Sequence, residues 1–256
     1  MRILFIFLCF FSLLFGGIDS TDMQIQTSMS ISDFTSDGFE NDFKMPNEDK
    51  AWDPLKGYNI QMTKVNDFVY MNILGPVAKG YRYTVPEFLR TGATNVITNL
   101  LFPSRVVNNI LQFKFHNAYE ETNRFLINST IGLVGFFDVA TLKAHIPAHN
   151  EDFGQTLGFY GVSNDIHIVL PILGPSNLRD ALGSIPDGFL NPINYAYKES
   201  YFIDDKNEFL LLQSYILVNE YSLHVDQYEN IRKDAVDLYI LFKNIYEQRR
   251  NKLIKE

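Results

Sequence analysis

His145 and His149 stand four residues apart and are followed at once by Glu151 and Asp152. On a helix, two histidines at that spacing with a carboxylate between them hold a hydrolytic zinc ion. Here Pro147 lies between the histidines, and an interior proline removes a helix hydrogen bond and clashes with the preceding turn. The segment therefore reads as a loop with solvated side chains. Ser176 is a second candidate, because it follows Gly174-Pro175 in a glycine-rich stretch. An elbow nucleophile needs Gly-x-Ser-x-Gly on a sharp turn, and that motif does not occur in the chain. The acidic pairs Glu120-Glu121 and Asp204-Asp205 read as solvated helix surface and helix entry. Arg179 and Asp180, with Asp187 nearby, read either as an ion pair in a first helical turn or as a polar head-group site beside an apolar surface. These residues predict no catalytic centre, no metal site and no cofactor.

The elements that carry them centre on Asn150–Asp180, where Gly154, Gly158, Gly161, Gly174, Pro171 and Pro175 punctuate the apolar blocks GFYGV and IHIVLPILGP. Neither block approaches the roughly 20 apolar residues that a membrane-crossing helix needs. Val162 to Leu170 reads equally as a strand or as a packed loop. On either side, apolar residues recur at helical spacing. Asp53-Pro54 suits the entry of a helix carrying Tyr58, Met62, Val65, Val69 and Ile73, with Gly75-Pro76 as its stop. A second helix starts near Pro86 and ends at Pro103, and others span about 104–112 and 117–129. Two C-terminal helices are expected within 204–252: one from Glu208 to about Asn219, capped by Asp204 or Asp205, and a long one from Gln227 to Lys252. The fold class is mainly α with an irregular Gly/Pro-rich centre.

The ends differ from this folded part. Residues 1–20, opening MRILFIFLCFFSLLFGG, have the basic start, apolar run and small residues of a secretory signal. Cys9 lies within the apolar run without the small residues of a lipobox, so it is not assigned as a lipid anchor. Residues 21–50 are acidic and polar without a sustained period, and read as a flexible tether. Residues 51–256 form a single domain. The net charge of −8 argues against nucleic acid, whose binding rests on phosphate neutralisation by Lys and Arg. The 22 Phe and 14 Tyr fit a large aromatic core or, alternatively, a membrane interface. Asn128-Ser129-Thr130 matches a glycosylation acceptor, a three-residue pattern expected by chance.

Several short motifs occur together. Asp53-Pro54-Leu55-x-Gly57-Tyr58-Asn59-x-x-Met62, followed by Asn66-Asp67, resembles the opening of the MlaA/VacJ family. Pro76-Val77-Ala78-Lys79-Gly80-Tyr81-Arg82, Phe125 to Gly132, Gly135-Phe136-Phe137-Asp138, EDFGQTLGFYGV and LPILGPSNLRD are similar to later family segments in the same order. The similarity spans residues 53–192. It implies a ring-like assembly of amphipathic helices in the inner leaflet of the outer membrane. Such a protein removes phospholipids from the outer leaflet through an amphipathic channel, without covalent chemistry. A trimeric porin and a soluble periplasmic lipid carrier are implied as partners, and the periplasmic face as the location. On this reading Asn59, Met62 and Asn66 border the passage, and Arg179 and Asp180 contact each other or a head group. Gly154, Gly158, Gly161, Pro171, Gly174 and Pro175 shape the ring. An exported lipid hydrolase using Ser176 and a surface interaction or virulence protein are the competing readings.

Overall fold

The computed structural model describes residues 53–164, 166–199 and 206–256. The signal segment, Cys9, the tether, and the cap expected at Asp204 or Asp205 lie outside these residues. The described chain is mainly helical. Its order is α1 (Lys56–Val69), a π-helical turn (Tyr70–Leu74), α2 (Gly75–Thr84), α3 (Glu87–Leu100), α4 (Phe102–Leu111), α5 (Phe115–Thr130) and the short α6 (Val139–Leu142). There follow α7 (Phe153–Phe159), the strands β1 (His167–Leu170) and β2 (Gly174–Asn177), α8 (Leu178–Leu190), α9 (Pro192–Glu199), α10 (Lys206–Asp234) and α11 (Leu238–Lys255). No helix among the described residues is long and apolar enough to cross a membrane.

Three boundaries differ from the sequence expectation. Gly75-Pro76 does not stop the first helix. The Gly75 N–H bonds back to Tyr70 O, five residues away, and this wider π turn accommodates the Pro76 ring without ending the helix. Asp53 does not cap α1, which has no side-chain cap. Its carboxylate instead accepts from Tyr239 Oη and from Lys243 Nζ at 3.0 Å, near the other end of the chain. The long C-terminal helix is two: α10 runs past Asn219 to Asp234, and α11 restarts where Asp237 accepts from the Ile240 N–H at 3.0 Å. Asp237 is a short polar side chain that caps a helix at the expense of continuing the previous one.

The segment left open between strand and loop forms an antiparallel hairpin, with His167 opposite Asn177 and Leu170 opposite Gly174. Gly174 has φ +86°, a backbone state that other residues rarely adopt. The free edge of β1 is held by α1. Asn59 donates to His167 O at 3.0 Å and accepts from Val169 N at 2.9 Å. Asn66 donates to Leu170 O at 2.8 Å and accepts from Ile172 N at 2.7 Å. Two helical turns rise about 10 Å, as do three residues of strand, so two carboxamides seven residues apart match two backbone pairs three residues apart. Tyr70 adds a hydroxyl bond to Ile172 O. The asparagines thus act as an extra strand built from side chains.

The apolar core joins α1, the π turn, α2, α10 and α11 through Val69, Tyr70, Leu74, Ala78, Tyr221, Val225, Tyr228, Phe242 and Ile245. Tyr70 stacks on Tyr221 at 5.6 Å, and Tyr228 stacks on Phe242 at 5.7 Å. The aromatic residues therefore divide. Tyr70, Tyr221, Tyr228 and Phe242 fill the core, whereas Phe68, Phe88, Phe113, Phe115, Phe137, Phe159 and Phe189, with Tyr83 and Tyr119, are exposed. The helices facing away from this core are turned polar side inward: α4 buries Ser104, Arg105, Asn108 and Asn109, and α5 buries Glu121, Arg124 and Asn128. Glu121 is fully buried against Arg105 and Arg124, so it is not solvated helix surface. In α1 likewise Asn59, Thr63 and Asn66 are buried while Tyr58, Val65 and Phe68 are exposed. Exchanging Asn66 for Ala leaves a buried N–H and a buried carbonyl without partners, each worth about 1–3 kcal/mol. We expect unfolding in detergent at a correspondingly lower denaturant midpoint, with Lys64→Ala, on the solvated side, close to unchanged.

Candidate functional site

The inward-turned Ser104 and Arg105 of α4 form part of the wall of an open cavity of about 680 Å³. Its wall is drawn from α3, α4, the start of α5, the loop 148–152, α7, residues 191–194, α10 and α11. Apolar patches from Ile97, Leu101, Ile193, Ile216 and Leu253 alternate with Arg105, Lys114, Glu151, Asp152 and Arg250. Such a mixed wall accommodates a molecule with both a greasy and a charged part.

The sequence EDFGQT builds one side of it. Asp152 caps α7 by accepting from Gln155 N at 2.7 Å. The same carboxylate receives two bonds from the Arg250 guanidinium, at 2.6 and 2.8 Å. Glu151 accepts from Gln112 at 2.8 Å and from Lys114 at 2.7 Å. Behind this wall Glu121 takes the Arg105 guanidinium at 2.6 Å and the His149 N–H at 2.6 Å. His149 also places Nε2 2.6 Å from Glu120, so its ring is part of this wall and is not free in a solvated loop. Among the described residues no group of His, Cys, Asp and Glu could hold a metal.

Arg250 also reaches Asp180 at 2.8 Å, and Asp180 pairs with Arg179 at 2.8 Å. Asn177 caps α8 through Asp180 N and donates to the Asp180 carboxylate, which also accepts from Tyr246 Oη. Burial alone would favour neutral side chains, yet the opposed charges prevail: Arg250 is raised well above the ordinary arginine value and Asp152 is lowered. The elements meet closely enough that a Cβ on Gly154 would lie 2.4 Å from Asp180 Oδ1, and one on Gly183 would lie 2.6 Å from Gly154 N. Glycine here is demanded by backbone approach rather than by a turn.

The structure separates the residues singled out by sequence. Asn59 and Asn66 hold the hairpin, and Met62 is half-buried on the same helix. Pro171 is the first residue of the hairpin turn, and Pro175 is buried opposite Val169. Gly158 packs against Ile254 and Arg179, and Gly161 turns the chain after α7 at φ +86°. Asn59, Met62, Asn66, Arg179 and Asp180 do not line the wide cavity. They connect to it in series, from α1 to the hairpin, then Asn177, Asp180 and Arg250. Ser176 is fully buried in β2, and Asn128 is buried and donates to Asp138 at 2.9 Å. Of the wall residues, Glu151 was noted only as part of the His145–His149 pattern, and Lys114, Gln155 and Arg250 were not singled out. The polar letters of EDFGQT were the sequence signal for Glu151 and Gln155, whereas nothing local placed Lys114 or Arg250 beside them.

Two buried groups are displaced in opposite directions. His167 lies between the rings of Tyr239 and Tyr246 and is pushed down to about 4, by burial and then by Lys243. Asp187 accepts from Ser104, Asn108 and Phe153 N, and is pushed up to about 6 by burial and then by the Asp152 charge. A carboxyl raised in the folded state contributes stability at low pH that is lost as pH rises from its unfolded value near 4 through 6. Exchanging Asp187 for Asn removes that loss. The variant should gain on the parent by about 3 kcal/mol between pH 4 and 7, at about 1.4 kcal/mol per unit, measured by denaturant unfolding at each pH. A constant difference across that range counts against an Asp187 displaced upward. Gly154→Ala should lower the thermal midpoint far more than Gly80→Ala, where no atom lies near the added Cβ and the backbone is helical.

Comparison with known proteins adds a separate line of observation. The sequence matches the family described as MlaA lipoprotein over residues 51–253. A protein of Rickettsia prowazekii is 30% identical over 202 residues, covering 78% of this chain and 77% of that one. The intermembrane phospholipid transport system lipoprotein MlaA of Escherichia coli is 37% identical over 140 residues, covering 54% and 56%. The corresponding lipoprotein of Haemophilus influenzae is 34% identical, covering 57% and 59%. A solved structure described as the structural basis for maintenance of bacterial outer membrane lipid asymmetry superimposes with a TM-score of 0.65 at 28% identity. It covers 79% of this chain and 99% of that one.

Proposed function

The chain belongs to the MlaA lipoprotein family, and on that premise we propose that its cavity is the route by which phospholipids leave the outer leaflet of the outer membrane. The protein is a phospholipid transport component associated with the outer membrane and not an enzyme. The observation that carries the passage is the open cavity of about 680 Å³ whose wall includes polar residues that the helices turn inward, while their apolar faces remain exposed. A diacyl lipid presents a charged head and two apolar chains, and the mixed wall meets both. Paired ions such as Arg250–Asp152 and Lys114–Glu151 offer each sign of charge without leaving any of these four side chains uncompensated.

The helices lie in the inner leaflet with their apolar faces toward acyl chains, as amphipathic interfacial helices do. The periplasmic side of the ring delivers lipid to a soluble carrier, and a trimeric porin shares the outer face. Asn59 and Asn66 influence the passage indirectly, through the hairpin and the Asp180–Arg250 contact. Met62 tunes the same helix. Burial of Ser176 leaves the hydrolase reading without an accessible nucleophile.

Filling the cavity tests the route. Ile97→Trp and Ile216→Trp place a large ring in the lumen from two neighbouring helices, α3 and α10. Cells carrying either variant at normal protein level should accumulate outer-leaflet phospholipid to near the level of cells lacking the gene. Normal lipid asymmetry in the deletion strain would overturn the transport reading. Normal asymmetry in both Trp variants alone would remove the cavity as the route.

A further inference from the structure

The connection between α5 and α6 spends backbone energy to expose apolar side chains. Leu133 and Val134 are consecutive and both left-handed, with φ +54° and +59°. For bulky and β-branched residues that state is an outlier that persists only where the surroundings fix it. The surroundings do fix it. Val134 N bonds to Ser129 O at 3.1 Å, Gly135 N to Asn128 O at 2.8 Å, and Phe137 N to Gly132 O at 2.9 Å. The base is pinned by Asn128 and Arg124 on Asp138, and by Asn95 donating to Phe136 O at 3.1 Å. The Phe136 ring lies against the bare backbone of Gly92. What this scaffold presents outward is apolar: Ile131, Leu133, Val134 and Phe137 are 68%, 65%, 68% and 46% exposed.

A water-facing loop gains nothing from this arrangement, because Asn or Gly would relieve the backbone and hydrate the tip. From Leu126 to Leu142 the sole charged residue is Asp138, which faces inward to Arg124. The rim of a protein–protein contact is polar and charged, whereas this tip has no charged rim. Leu126, on the adjoining turn of α5, continues the exposed apolar surface. The geometry points to a rigid apolar finger, Ile131–Phe137, that inserts into the acyl region of a phospholipid leaflet and fixes how deep the ring rides. This inference rests on the membrane reading above and adds which segment enters the lipid.

The test uses the full chain with vesicles of phosphatidylethanolamine and phosphatidylglycerol. The sequence has one tryptophan, so Leu133→Trp in a Trp52→Phe background is a single reporter. Its fluorescence should be quenched by phospholipid brominated along the acyl chain and shielded from aqueous iodide. Val134→Asn suits the left-handed backbone, so its thermal midpoint should be unchanged or higher while vesicle partitioning falls on the order of tenfold. Iodide quenching without bromine quenching overturns the finger, as does Val134→Asn with unaltered partitioning. If the finger fails while Ile97→Trp still raises outer-leaflet phospholipid, the transport reading stands alone. If Leu133→Trp reports lipid but cavity-filling variants leave asymmetry normal, the finger stands and the route falls.

Discussion

A single buried guanidinium, Arg250, ties the cavity wall to the rest of the molecule. It answers Asp152 at the start of α7 and Asp180 at the start of α8, from a position on α11 far along the chain. A charge removed from water is tolerable only when paired and hydrogen-bonded, so these helices must meet at one geometry. The close approach of Gly154 to Gly183 follows from that requirement. So does the position of the hairpin, because Asn177 both ends β2 and caps α8. Removing Asp152 would take away the cap of α7 and its link to Arg250 in one step, and leave Asp180 as the remaining carboxylate on the guanidinium.

The second organising fact is the direction in which side chains face. In water, burial of apolar surface drives folding and polar groups stay outside. Among the described residues, the aromatic core of ordinary kind lies between α1, the π turn, α2, α10 and α11. Elsewhere the interior is held by carboxamides, guanidinium groups and carboxylates, and the outside carries Phe, Leu and Ile. Exposed apolar area on this scale marks contact with another apolar phase. Each buried polar group then needs its own partner, which explains why asparagines recur as connectors: Asn59, Asn66, Asn99, Asn108, Asn128, Asn177 and Asn219 all bond across element boundaries or to a helix start.

Much of this was legible in the sequence, and the failures have physical causes. Helical periods, Pro86 at a helix start and a helix boundary at Pro103 are local properties of the chain, and they appear in the structure. Periodicity locates a stripe but does not say which side faces inward when the surroundings are not water. Tyr58 and Val65 were therefore grouped with a face whose opposite, Asn59 and Asn66, is the buried one. Glu121 illustrates the same limit, since a carboxylate reads as solvated until its guanidinium partners are seen to come from other turns. The π turn escaped notice because Gly75-Pro76 ordinarily ends a helix, and one wider ring suffices to let it continue. The break at Asp237 was masked by unbroken apolar spacing on both sides.

Asp53, the first residue of the described structure, bonds to Tyr239 and Lys243, 186 and 190 positions away. Asn59 and His167 are 108 positions apart. Contacts of such span cannot form until late in synthesis, and long loop closures slow folding. Until α11 is made, the wall lacks Arg250, Asp152 and Asp180 have no common partner, and the outward apolar faces have no finished scaffold behind them. The incomplete chain is then an aggregation hazard of the kind chaperones bind. A stop codon only a few turns before the end would therefore remove Arg250 from both carboxylates and leave the cavity wall unfinished. The last helix is the clasp that holds α1, α7 and β2 against one another.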